Sequence, residues 1–303
     1  MFATLLGSLP RPPLAGSAPL DILVEAAVRA QESAGIEPLT DGGLRGDAGP
    51  VAAWEATAAL TDRAVKQAVG GPYTIGRSGG GTFAERTAAT IAGAETLNAV
   101  LQALAAAGCP MIEVHEPAAT AIGADAAERA LFRETHLRLL DGLDRTHVSL
   151  AITGGTADTA GIETILAAPY ASLAVDLIAG PDNWRLVALA PGDRGIVCGA
   201  LSAAAGSEDG PELLLWAAAY AASTMSRGPD RVGLATASSL AHLPWAEAIS
   251  KLERLGEAAR LADLPSDEAI RSLDPRAMDS RAAAIGQVGP APSRRPRQGD
   301  DPT

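Results

Sequence analysis

The sequence predicts an α/β fold, a single-domain (β/α)8 TIM barrel spanning about residues 1–264. Three observations predict it. Short apolar runs alternate with longer Ala/Leu-rich amphipathic segments over that whole span, the pattern of a parallel sheet covered by helices. The strand-like runs number about eight, and the span is close to the ~250 residues usual for such a barrel. A chain of 303 residues with 47% apolar content can also bury a core of this size.

In order, the predicted strands are ATLLGSL (3–9), EPLTDGG (37–43), VKQAVGGPYT (65–74), MIEVHEP (111–117), THVSLAI (146–152), SLAVDLI (172–178), GIVCGALS (195–202) and VGLATASS (232–239). Helical patterns fill the gaps at 19–34, 83–107, 124–143, 161–168, 211–225 and 244–262, and prolines open several of them, as the first-turn preference for proline predicts. The connections after Asp47 and after Pro181 are short or poorly patterned. Residues 265–303 read as a C-terminal extension. From about 287 it is Pro-, Arg- and Asp-rich without apolar period, the composition of a disordered tail.

Composition narrows the function. A formal charge of −12 opposes nucleic-acid binding, which needs a basic face. The apolar run LLLWAAAYAA from Leu213 is about half of the ~20 residues a bilayer span needs, and the N-terminus has no signal-peptide pattern, so a cytoplasmic protein with a small-molecule partner and no membrane is expected. Cys109 and Cys198 lie in apolar strand-like settings without CxxC spacing, as buried small hydrophobes do. The only lysines, Lys66 and Lys251, read as a product of coding bias.

Reactive groups of such a barrel sit at the C-terminal ends of its strands. The polar residues collected there are Ser8; Asp41; Tyr73 with Arg77; Glu113, His115 and Glu116; His147 and Ser149; Asp176; Ser202; and Ser238 with Ser239.

Several segments carry a family resemblance. LLGSLPRP, QESAGIEPLTDGGLRGD, TDRAVKQAVGGPYTI, ALAAAGCPMIEVHEPA, RTHVSLAI, LAVDLI, GIVCGALSA and DRVGLATASSL with ISKLERLGEAARLA follow one another over nearly the whole barrel. In that order the chain resembles the catalytic C-terminal domain of cobalamin-independent methionine synthase, in the superfamily that includes uroporphyrinogen decarboxylase. The resemblance implies methyl transfer from 5-methyltetrahydrofolate to a homocysteine thiol held by zinc. It places the zinc ligands at His147, Ser149, Asp176 and Ser238. Both positions where the family has cysteine are serine, and a neutral hydroxyl is a poor substitute for a thiolate on zinc. The family's DGE and DEP motifs, whose acids hold the homocysteine ammonium, read DGG and HEP here, at Gly43 and His115.

Three sharper readings stand against plainer ones. His115, His147 and Asp176 end neighbouring predicted strands and are candidates for a divalent metal face, or for a hydrogen-bonded rim. Ser149, His147 and Asp176 have the residue types of a nucleophile, base and orienting acid, but residues two apart on a strand share a face and rarely pair. The GRSGGG loop, 76–81, is either a phosphate cradle or a turn. The resemblance places Ser8, in GSLP, at a substrate-carboxylate contact, so it is a candidate to orient a carboxylate with Arg11 or Arg77, or else a turn cap.

The resemblance therefore implies a divergent methionine-synthase-like enzyme, a methyltransferase-like transferase with a degenerate zinc site. It would carry out group transfer or C–S/C–N bond chemistry on a small carboxylate-bearing substrate. His115, Glu116, His147 and Asp176 are the catalytic candidates, and Ser8, Ser149 and Ser238 the substrate contacts. A non-catalytic small-molecule-binding or scaffold barrel is the alternative.

Overall fold

A computed structural model describes residues 1–14, 18–46, 49–264 and 268. The predicted C-terminal extension therefore lies, Glu268 apart, outside the described residues. Met1–Asp263 form one compact unit.

Seven strands build one parallel sheet: β1 (Phe2–Thr4), β2 (Lys66–Gly70), β3 (Met111–His115), β4 (Val148–Ile152), β5 (Ser172–Asp176), β6 (Gly195–Leu201) and β7 (Val232–Thr236). Their order is β1-β7-β6-β5-β4-β3-β2. Nine helices of the described residues join them: α1 (Leu20–Ser33), α2 (Pro50–Ala58), α3 (Pro72–Ser78), α4 (Phe83–Ala107), α5 (Ala126–Leu139), α6 (Ile162–Leu166), α7 (Trp184–Leu189), α8 (Pro211–Ser223) and α9 (Trp245–Ala262). None is long and apolar enough to cross a membrane among the described residues.

The sequence predicts eight strands, and the described residues form seven. The predicted strand at 37–43 forms no ladder. Its backbone makes isolated bridges instead, with Glu37 N–H donating to Ala3 O (2.8 Å), Leu39 N–H to Ala64 O (2.8 Å) and Lys66 N–H to Leu39 O (2.9 Å). The cause is local. Pro38 has no N–H to give a ladder, the Thr40 backbone is tied on both sides to the buried Gln31 amide, and Gly42 and Gly43 turn the chain at φ 73° and 72°. The predicted third strand likewise stops at Gly70, because Pro72 opens α3.

Side chains alternate between two cores. Ile112, Val114, Leu150, Leu173, Val175, Ile196, Cys198 and Leu234 face the helices and are buried against residues such as Leu97, Leu101 and Leu104 of α4. The positions between them face inward as a small second cluster of Leu6, Ala151, Ala174, Val197 and Ala235, with the Phe2 ring packed over Gly233. Strands buried on both faces are what a helix-covered parallel sheet produces. The longest helix, α4, begins at a capping box in which Thr82 Oγ1 accepts the Glu85 N–H while the Glu85 carboxylate accepts the Thr82 N–H, and it ends at Gly108 with φ 95°.

Candidate functional site

Inward positions of β2 and β3 carry polar side chains among small apolar neighbours. Lys66 opens β2, and Glu113 and His115 are two apart on β3, so all three point the same way. Lys66 Nζ donates to Glu113 Oε2 at 2.7 Å, and His115 Nε2 lies 2.6 Å from Glu113 Oε1. Lys66 and Glu113 are completely buried, while the His115 side chain is 20% exposed. Burial pushes the Glu113 carboxyl up, but the Lys66 ammonium and the His115 ring outweigh it and hold the group down at about 2. The carboxylate is therefore ionised and must accept from both partners. That puts a proton on His115 Nε2, so that the neutral form of the ring has its lone pair on Nδ1.

This relay opens on a cavity of about 460 Å³ at the C-terminal ends of β1, β2 and β3, walled by Ser8, Asp41, Gly43, Arg45, Gly70 and Ile75 among others. Ligands of parallel α/β sheets bind at this end of the strands. A larger cavity, about 940 Å³, lies at the opposite end, against Phe2, Ala64, Met111 and His147.

His147 is the main correction to the sequence reading. It precedes β4 rather than ending it, and its Nε2 is 2.9 Å from the Ser172 hydroxyl, at the start of β5. Burial pushes its pKa down. Asp176 ends that same strand, four residues on at a rise of ~3.3 Å each, so the two lie on the order of 13 Å apart. Ligands of one ion sit within about 2 Å of it. The expected His115–His147–Asp176 metal face and the Ser149–His147–Asp176 arrangement are thus not brought together. Ser149 is fully buried inside the sheet, and its hydroxyl has no hydrogen-bond partner among the described residues.

Asp176 accepts N–H bonds from Gly154, Ile178 and Ala179 at 2.8–3.0 Å, so its carboxylate fastens the loops after β4 and β5. It borders a cavity of about 290 Å³ that also contains Ser202, Ser238 and His242. Glu116 is fully buried and caps α3, accepting the N–H groups of Tyr73 (2.9 Å) and Thr74 (2.7 Å) and the Thr74 hydroxyl. His136 lies 3.2 Å from it on another side. Arg77 donates to Glu128 and Tyr73, and Arg11 is exposed. In GRSGGG, Gly80 and Gly81 turn the chain at positive φ into α4, where the capping box takes the Thr82 and Glu85 amides.

The sequence reading missed Lys66 and Arg45 as site residues. A charged residue at an inward position of a strand buried on both faces must be paired, and that was the available signal for Lys66.

The zinc ligands implied by the resemblance do not fit a metal: two are neutral serines, His147 stands at the opposite end of the sheet, and Asp176 already accepts three backbone amides. Among the described residues no three His, Cys, Asp or Glu side chains come together as a metal site. Among the described residues the mouth cavity is lined by no Phe, Tyr or Trp ring on which a pterin would stack.

No family model and no curated protein matches the chain. Solved structures do match. A B12-independent methionine synthase from Shewanella sp. W3-18-1, in complex with selenomethionine, is 16% identical with a TM-score of 0.71, covering 89% of this chain and 99% of that one. A putative vitamin-B12-independent methionine synthase from Listeria monocytogenes is 14% identical with a TM-score of 0.66, covering 86% and 98%. The likeness shows a shared fold.

Proposed function

We propose that this chain is an enzyme acting on a small carboxylate-bearing molecule in the cavity at the ends of β1–β3, with His115 as its acid–base group. The observation that carries the proposal is the Lys66–Glu113–His115 relay opening on that cavity. Glu113 fixes the ring and its tautomer and stabilises the imidazolium that forms when Nδ1 takes a proton. Lys66 neutralises Glu113 and keeps it ionised. Two buried, oppositely charged groups behind one partly exposed histidine are the kind of perturbed cluster that marks active sites.

The reaction class proposed is group transfer, methyl or one-carbon, or C–S/C–N bond chemistry of a methionine-synthase-like kind. The fold shared with the two methionine synthase structures supports this, and so does the position of the cavity. No step runs through zinc or folate, because the donors and the lining do not fit them. In the same reading residues 37–39 stand in for an eighth strand of a (β/α)8 barrel, since their bridges reach both edges of the sheet.

The test is turnover. A panel of small carboxylates bearing thiol, thioether or amine substituents is incubated with the full chain and followed by proton NMR for C–S or C–N cleavage or methyl transfer. Turnover by the wild type and at least a hundredfold loss in His115→Gln are expected. Turnover equal in the two proteins removes His115 from the chemistry, and no turnover of any member favours a non-catalytic binding barrel.

A further inference from the structure

The charged groups around the mouth cavity are engaged on all sides but one. Glu113 is committed to Lys66 and His115. The Asp41 carboxylate accepts two N–H groups of its own turn, from Gly43 (2.7 Å) and Arg45 (3.0 Å). Position 43 has no room for another acid: its φ is +72°, and a Cβ there would stand 2.1 Å from the Ser8 hydroxyl oxygen. Glu113 is thus neutralised by a buried cation, and each Asp41 oxygen already accepts one amide of its own turn.

The donors are in the opposite condition. Arg45 gives one terminal N–H to Asp21 Oδ1 at 2.7 Å, which pins the guanidinium. Its side chain is only 11% exposed, and its Nε–H is buried with no acceptor among the described residues. The Ser8 hydroxyl, on the same cavity, makes no hydrogen bond among the described residues. A buried charged donor without an acceptor is costly, and a carboxylate is the acceptor that guanidinium geometry fits best.

We infer that the cavity takes a small carboxylate without an ammonium group, received by Arg45 Nε–H and the Ser8 hydroxyl and presented to His115. A zwitterionic amino acid brings an ammonium into a cavity already lined by Lys66 and Arg45, with Glu113 neutralised and Asp41 tied into its own turn, so it is selected against. This deepens the function proposed above and rests on the same cavity being the substrate site.

The full chain, labelled with 15N, is titrated with butanoate, 2-aminobutanoate and butylamine while the Arg45 Nε–H and His115 ring signals are followed. Butanoate is expected to shift both, 2-aminobutanoate to bind at least tenfold more weakly, and butylamine not to bind. Arg45→Met is expected to weaken butanoate at least tenfold, Arg45→Lys to keep part of the binding, and Ser8→Ala to weaken it two- to fivefold, with thermal melts showing each variant folded. Equal binding of butanoate and 2-aminobutanoate, no butanoate binding, or binding unchanged in Arg45→Met overturns the inference. Arg45-dependent binding without turnover of any carboxylate sustains it while overturning the enzymatic reading. Turnover of a zwitterion by a His115-dependent protein does the reverse.

Discussion

Replacing Lys66 by Met removes the ammonium that faces Glu113 at 2.7 Å and leaves a fully buried carboxylate with the His115 ring as its remaining side-chain partner. The size of the effect follows from Glu113 itself. Its carboxyl is held at about 2 against an ordinary 4.5. At ~1.36 kcal/mol per pKa unit that gap is worth about 3 kcal/mol of stability at neutral pH, in line with the ~3–5 kcal/mol usual on breaking a buried pair. The folded pKa is depressed, so this stabilisation is present above pH 4.5 and is lost as the pH falls through 2. Urea unfolding at pH 7 should show Lys66→Met less stable by about 3 kcal/mol. Between pH 5 and pH 3 the wild type should lose about 2 kcal/mol that the variant does not. The double variant Lys66→Met/Glu113→Leu should regain most of the deficit, because removing both charges avoids the stranded carboxylate. A Lys66→Met deficit under about 1 kcal/mol, the range of an exposed pair, refutes the buried relay.

Three further predictions follow from other parts of the molecule. Gly43→Ala should destabilise by about 1–3 kcal/mol through its positive φ and the collision with Ser8, and Ser8→Gly in the same chain should relieve only the collision, as thermal melts of the single and double variants would show. Glu116→Ala strands the Tyr73 and Thr74 amides and the Thr74 hydroxyl and should cost about 3 kcal/mol in urea unfolding; a loss under 1 kcal/mol contradicts its role as the cap of α3. Burial pushes the thiols of Cys109 and Cys198 up to about 11 and about 12, so neither should react with an aromatic disulfide reagent at pH 8 until denaturant is added, and rapid reaction of the native protein speaks against their burial.

The fold was legible where apolar runs were long and uninterrupted. The strands at 111–117, 172–178 and 195–202 are found within a few residues of their predicted limits, and so is the helix at 83–107. The strand at 37–43 was not, because its apolar and polar pattern hides a proline without a donor and two glycines that turn the chain. Site residues were harder. His147 looked like a strand end because THVSLAI reads equally well from either terminus, and only the register of β4 against β3 and β5 shows which end faces the mouth. Glu113 and His115 were visible as polar residues on one strand, but their partner Lys66 lies 47 residues away from Glu113, and no local pattern links the two. Arg45 was invisible for the same reason: its importance lies in an N–H group that has no acceptor among the described residues.

The claim that chemistry belongs to the His115 end of the sheet and not to the His147 end is tested most directly by the ring nitrogens themselves. The chain has four histidines, and long-range 1H–15N spectra resolve each ring, assigned by single His→Gln variants. Adding a small carboxylate should perturb His115 Nδ1 and leave His147 unchanged, whereas a perturbation confined to His147, or none at any histidine, contradicts a substrate site at the mouth of β1–β3.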